Sequence, residues 1–464
     1  MKRLFALLVV LALAVFAGVL AVAFWPTHTP TLAAGDTTSP AQVEAGRYAA
    51  RAGDCIACHS APGGQPFAGG LPMQTPIGTV YSTNITPDRE HGIGDYTLQD
   101  FDRALRYGIA RDGHSLYPAM PFPSYARVSD ADVRALYAYF MHGVPPLAQA
   151  NKASTIPWPL SMRWPLAIWR KAFSPDPASA HTTSGSSAQI SRGAYLVEGP
   201  GHCGACHSPR SVTMQEKGLT AADADFLAGG APLDGWVAKN LRGDPRDGLG
   251  SWRQDEIVQF LKTGRSHDTA AFGGMTEVVQ HSLQYLSDDD LNAIAAYLKT
   301  LPARDPKQTA FQPDPTAAKA LWNGDDKATG AAVYVDSCAA CHRSDGQGYT
   351  RFFPALAGNT AVQTADATSL ISIVLNGSQV PSLHTAPSPI TMPAFGWRMT
   401  DQDVADVVNF IRTSWGNQAP PVDAGDVARL RSDDNRQTSG SQLGQHFDQA
   451  QHAEAHMQTV PNTD

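Results

Sequence analysis

The chain has 464 residues, enough for about three domains of ordinary size, and with 43% apolar residues it cannot be disordered over its whole length. A net charge of −8 supplies no basic field, which argues against a nucleic-acid partner. Charged residues are only 17%, while 40 glycines and 34 prolines point to compact, loop-rich units rather than long charged helices.

At the N-terminus, Lys2 and Arg3 precede an uncharged apolar run from Leu4 to Trp25, long enough to cross a bilayer as a helix. Ala21-Val22-Ala23 and Leu32-Ala33-Ala34 are small-residue sites at which a signal peptidase could cut. Residues 1–34 are therefore either a retained anchor or a cleaved export signal. Both readings leave the positive end in the cytoplasm and export the rest.

Beyond this segment an internal repeat runs through the chain. Residues 40–150 open on Gly46-Arg47-Tyr48 and close on Ser129-Asp130-Ala131-Asp132-Val133, running to Tyr139. Residues 188–301 open on Gly193-Ala194-Tyr195 and close on Ser287-Asp288-Asp289-Asp290-Leu291, running to Leu298. Residues 326–416 open on Gly330-Ala331-Ala332-Val333-Tyr334 and close on Thr400-Asp401-Gln402-Asp403-Val404, running to Ile411. Serine or threonine followed three residues later by an acid, then an apolar helical period, predicts a capped helix. Each unit is thus expected to begin and end with a helix, and the fold class to be all-α.

Between the first two units, residues 151–187 read as a linker, which ends in the weakly apolar SPDPASAHTTSGSS. Its earlier part carries Trp158, Trp164 and Trp169 among Arg163, Arg170 and Lys171, a composition that suits either an inter-domain plug or a membrane interface. Residues 302–325 form a second, proline-rich linker. The tail, 417–464, is polar and expected to lack order.

All six cysteines fall in three pentapeptides: Cys55-Ile-Ala-Cys58-His59, Cys203-Gly-Ala-Cys206-His207 and Cys338-Ala-Ala-Cys341-His342. None is left over for a disulfide. Two thiols three positions apart lie on one side of a helical turn, where they can add to the two vinyl groups of one haem while the adjacent histidine faces iron. The pattern predicts three covalently bound haem c groups. A thioredoxin-like redox pair or shared zinc would want a βαβ context or a second ligand pair nearby, and the sequence has neither.

An iron held by one histidine needs a ligand on its far side, and a methionine thioether there favours the reduced state. Met120, in the proline-rich run Tyr117 to Pro123, Met275 after Gly273-Gly274, and Met392 before Pro393 occupy similar places ahead of the closing helices. They follow their motif histidines by 50 to 68 residues. Met73, Met141, Met214 and Met399 compete for the role, as methionine is often only packing. His91, His114, His202, His267, His281 and His384 do not recur at equivalent places and read as surface or pocket histidines. No dinucleotide fingerprint, phosphate loop, nucleophile elbow or H-E-x-x-H pair is evident, so no catalytic residue is expected.

Three tandem c-type units behind an export or anchor segment, with Gly69-Gly70-Leu71-Pro72, Ile77 to Asp88, Tyr117 to Pro123 and Met162-Arg163-Trp164, resemble a known family. It is the tri-haem cytochrome c subunit of membrane-bound bacterial alcohol, gluconate, sorbitol and fructose dehydrogenases, and the resemblance covers about residues 40 to 416. It implies three cytochrome c domains, a separate flavin- or PQQ-bearing dehydrogenase subunit that oxidises the substrate, and delivery of electrons to ubiquinone at the periplasmic face of the inner membrane. Members of this family can carry a C-terminal membrane segment, whereas this tail is polar. Two other classes stay open. A free electron carrier shares the haems but needs no dehydrogenase, and a haem enzyme needs an open or unusually ligated iron.

Overall fold

In the computed structural model, residues 1–177, 187–233 and 235–438 are described; 178–186 of the predicted linker, 234, and 439–464 of the predicted tail lie outside them. The chain divides into two compact units, Met1–Ala50 with Cys58–Thr182, and Arg51–Ala57 with Thr183–Asp464. As the sequence predicts, it is mostly helical. Three two-stranded antiparallel ribbons are added to the helices.

The first unit starts with α1 (Lys2–Phe24), whose side chains are exposed apart from Val19, Leu20 and Ala23. It is the one described helix long and apolar enough to cross a membrane. The opening helix α2 (Pro40–Ala52) leads to the turn α3 (Cys55–His59), and a ribbon of β1 (Pro72–Thr75) and β2 (Gly78–Tyr81) follows. Helix α4 (Leu98–Tyr107) is held at its start by a capping box between Thr97 and Asp100 and stopped by Gly108 at φ 61°. The proline-rich run Tyr117 to Pro123 leads into a single helical turn, α5 (Phe122–Tyr125), which is possible because Pro123 sits in the first turn, where a missing N–H costs nothing. The closing helix α6 (Asp130–Ala138), capped by Ser129, continues into a π-helical turn over Tyr139–Gly143. Phe67 meets Tyr139 and Phe140 edge-on in the core. In the tryptophan-rich stretch, α7 (Trp164–Phe173) packs on α1: Lys171 Nζ donates to the Val22 and Trp25 carbonyls at 2.7 and 2.5 Å. Trp169 turns inward onto Phe122, while Trp158 is 80% exposed.

The second unit contains two haem-motif domains. In one, α8 (Ala188–Glu198) opens, α9 (Gly204–His207) carries the motif, and β3 (Pro232–Leu233) pairs with β4 (Trp236–Val237). Next come α10 (Gln254–Thr263), α11 (Gly274–His281) and the closing α12 (Asp288–Leu298), capped by Ser287. Residues 302–325, read as a linker, are ordered. Asp244 accepts from the Arg304 and Asp305 N–H groups at 2.8 and 2.7 Å, and α13 (Thr316–Trp322) forms with Leu321 buried.

The last domain comprises α14 (Ala331–Ser337), α15 (Ala339–His342), α16 (Thr360–Gln363), α17 (Thr368–Asn376), a ribbon of β5 (Ser378–Gln379) with β6 (Thr391–Met392), and the closing α18 (Asp401–Thr413). Beyond it the structure departs from the expectation of a tail without order. Ala424–Thr438 is a helix, α19, that packs on α18 and α17. Val427 is completely buried in the domain core, and Arg431 binds the Asp401 carboxylate and donates to the Gly396 and Met399 carbonyls. Val427, the partly buried Leu430 and one arginine dock a helix whose composition is otherwise polar.

Candidate haem sites

The same helix crossing builds all three sites. In each domain the opening glycine lies against the backbone of the closing helix. A Cβ at Gly46 would stand 1.9 Å from the Ala135 carbonyl oxygen, one at Gly193 2.0 Å from that of Ala293, and one at Gly330 2.1 Å from that of Asp406. Four residues after each contact, the Cβ of an aromatic residue, Tyr139, Tyr297 or Phe410, closes on the same glycine. Only a residue without a side chain lets the helices approach this closely. The crossing fixes where each opening helix delivers its cysteine turn.

In each turn the histidine is held the same way. His59 Nδ1 lies 2.7 Å from the Thr83 carbonyl, His207 Nδ1 2.7 Å from that of Lys239, and His342 Nδ1 2.9 Å from that of Pro354. A carbonyl can only accept, so Nδ1 carries the proton in all three and Nε2 keeps its lone pair for a metal. A glycine N–H fixes each turn from the other side: Gly69, Gly229 and Gly348 donate to the carbonyls of His59, His207 and His342 at 2.7, 2.8 and 3.1 Å. Burial pushes the three imidazoles below their ordinary range, His207 down to about 4, so each is the neutral form that binds metal.

No disulfide joins any two of the six cysteines. Burial pushes Cys203 and Cys338 up to about 12, the opposite of the lowered value that an activated redox thiol requires. Among the described residues no group of three or more His, Cys, Asp or Glu converges as a metal site. Paired thiols on one helical turn beside a carbonyl-anchored histidine fit a haem held covalently through two thioethers, with the histidine as one axial ligand.

The candidate second ligands all come to rest half-buried ahead of their closing helices. Met120 sits in the loop before α5, with its N–H directed to the Tyr117 carbonyl. Met275 lies in the first turn of α11, where Gly273 at φ 56° lies against the Trp236 ring. Met392 ends β6, opposite Ser378. Of the competing methionines, Met399 belongs to the apolar core of the last domain and Met214 is 49% exposed. His384 stacks edge-on against Tyr285, and His202 bonds the Gly53 carbonyl, which gives both histidines structural roles. The acceptors Thr83, Lys239 and Pro354 carry no residue-type signature by which a sequence could mark them.

Residues 327–415 match the Cytochrome c family. Over most of its length the chain is similar to the gluconate 2-dehydrogenase cytochrome c subunit of Pantoea cypripedii, with 62% identity over 87% of this chain and 92% of the relative. It is also similar to the cytochrome c subunit of the quinone alcohol dehydrogenase of Gluconobacter oxydans, with 51% identity over 90% of this chain and 87% of the relative. The fructose dehydrogenase cytochrome subunit of Gluconobacter japonicus is 37% identical over 84% of this chain and 82% of that one.

Proposed function

The chain belongs to the family of cytochrome c subunits of membrane-bound gluconate, alcohol and fructose dehydrogenases, and from that premise we propose the following division of labour within such a complex. The chain is the electron-transfer subunit of a quinone-linked alcohol or sugar dehydrogenase. A separate catalytic subunit, bearing flavin or PQQ, oxidises the substrate, and this chain conveys the electrons to ubiquinone at the periplasmic face of the inner membrane. The observation that carries this reading is the threefold recurrence of a Cys-x-x-Cys-His turn whose histidine is fixed on a backbone carbonyl.

Haem iron supplies one-electron redox chemistry when bound. Cys55 and Cys58, Cys203 and Cys206, and Cys338 and Cys341 would hold the three haems. His59 with Met120, His207 with Met275, and His342 with Met392 would supply the protein ligands to the three irons. Sites closed by two protein ligands have no position for a substrate, which favours a carrier over a haem enzyme. Lys2 and Arg3 in the first turn of α1 orient the segment with its start in the cytoplasm. The exposed Trp158, Leu160 and Met162, directly preceding the α7 helix that docks on the end of α1, support a membrane interface at this stretch rather than an inter-domain plug.

Purification from native membranes tests the reading. Three covalent haems per chain by pyridine haemochrome, and co-purification with a flavin- or PQQ-containing subunit, are expected. Two haems per chain, or a cytochrome that purifies without a dehydrogenase under mild detergent, would contradict it.

A further inference from the structure

The second and third haem sites lie in one compact unit, and the segments that carry their axial residues are tied to each other's domain. Lys239, whose carbonyl orients His207, donates its ammonium to Thr360 Oγ1 at 2.9 Å, in the first turn of α16. The tie also runs in the other direction. Pro354, whose carbonyl orients His342, is followed by Ala355, and the Ala355 N–H donates to the Asp268 carbonyl at 2.9 Å. The buried Asn359 amide closes the same corner, donating to the Ala355 carbonyl at 2.8 Å and to Thr269 Oγ1 at 3.3 Å.

The methionine side is joined as well. Thr276, next to Met275, donates to the Gln379 carbonyl at 3.2 Å, and Gln379 is the register partner of Thr391, next to Met392. Ser369 Oγ accepts from the Val237 N–H at 2.8 Å, and Ser372 Oγ donates to the Gly235 carbonyl at 3.1 Å, so the β3–β4 ribbon is seated on α17.

We propose that Lys239, pinned by Thr360, is a positioning residue through which the last domain sets the orientation of His207, so that the second and third haem sites form a coupled redox pair. The acceptor on Nδ1 fixes both ring orientation and ligand basicity. When that acceptor belongs to a residue whose side chain is anchored across a domain junction, the junction governs both. An ammonium drawn partly out of water, as the half-buried Lys239 is, is costly to leave without partners. Here a hydroxyl, the Trp252 ring at 4.6 Å and the Phe260 ring at 5.8 Å compensate it, so the side chain cannot leave the junction cheaply. A bond that merely glued the domains together would change stability and leave the electronic state of the second site alone.

The coupling rests on the haem assignment above, which the haemochrome count tests separately. The test of coupling uses the full chain in detergent, with Thr360→Val, Lys239→Met and Lys239→Arg variants studied by potentiometric titration and by electron paramagnetic resonance of the ferric sites. The second site is identified by the signal lost in a Cys203→Ala/Cys206→Ala variant. Thr360→Val, a change made entirely in the last domain, should move the resonance of the second site and change its ferrous-to-ferric ratio at fixed potential several-fold, tenfold being 59 mV for one electron. Lys239→Met should do the same, Lys239→Arg should stay close to the parent, and the first site should not respond. A second-site potential and resonance unchanged in both Thr360→Val and Lys239→Met would overturn the proposal, whatever happens to the melting temperature. If Lys239→Met fails to fold, Thr360→Val decides alone, since it removes one hydroxyl and keeps the side-chain shape.

Discussion

Replacing Gly193 by alanine should force apart the two helices that frame the second haem site. The added Cβ would stand 2.0 Å from the Ala293 carbonyl oxygen, 2.6 Å from its carbon and 2.7 Å from Tyr297 Cβ. Ordinary contacts begin near 3.5 Å, so α8 and α12 must separate by roughly 1.5 Å. Neither Ala293 atom can escape by changing rotamer, because both belong to the helix backbone. Overpacking of this kind costs about 1–3 kcal/mol, and the contact geometry places this case at the upper end. Alanine recovers about 1 kcal/mol of helix propensity within α8, leaving a net loss of about 2 kcal/mol. That corresponds to a fall in Tm of about 4–8 °C for a unit of 150–250 residues. Gly330→Ala should be worse, because Gly330 is at φ 80°, where a side chain costs about another 1–2 kcal/mol, and it caps α14 rather than lying inside it. Hydrogen exchange resolved by segment is the assay: protection in α8 and α12 should fall while that in α2 and α6 holds. Parental protection in α8 and α12 of the Gly193→Ala protein would refute the claim that the crossing is built on a missing side chain.

The remaining expectations concern the sites and the last helix. Replacing Cys203 and Cys206 together by alanine should reduce the haemochrome value from three to two per chain, and an unchanged value would remove that turn from the haem sites. Replacing Met120, Met275 or Met392 singly should lower the potential of one site by more than roughly 59 mV, because a thioether ligand that favours the reduced state is lost. An unchanged redox titration would pass the role to another methionine. Ending the chain before Ala424 removes the completely buried Val427 and should destabilise the last domain by about 1.5–3 kcal/mol, measured by chemical denaturation.

The parts of the site that depend on residue type were legible in the sequence. The cysteine turns, the opening glycines and the caps at Ser129, Ser287 and Thr400 each require a particular side chain, or none, at a particular spacing, and the structure uses them there. The carbonyl acceptors were not legible, since Thr83, Lys239 and Pro354 act through their backbone and stand at unequal distances from their histidines. The ties between the second and third domains are single polar contacts between loops remote in sequence, such as Lys239 with Thr360, and no local period reports them. Helix α19 was missed because composition counts polar residues, whereas docking depends on where Val427, Leu430 and Arg431 fall on the helix surface. Similarly, the 302–325 connection is ordered by Asp244, a residue about sixty positions away.

The central proposal is that this chain carries electrons and leaves substrate oxidation to a separate catalytic subunit. The direct test is to purify it alone in detergent, offer it ethanol, gluconate, sorbitol and fructose, and then repeat with its co-expressed catalytic subunit and ubiquinone while following the haem absorbance and quinol formation. The expected result is no haem reduction by any substrate without the partner, and substrate-dependent formation of ubiquinol with it. Haem reduction by a substrate in the isolated chain, or a substrate-reduced complex that passes electrons to soluble acceptors but not to ubiquinone, would contradict the account.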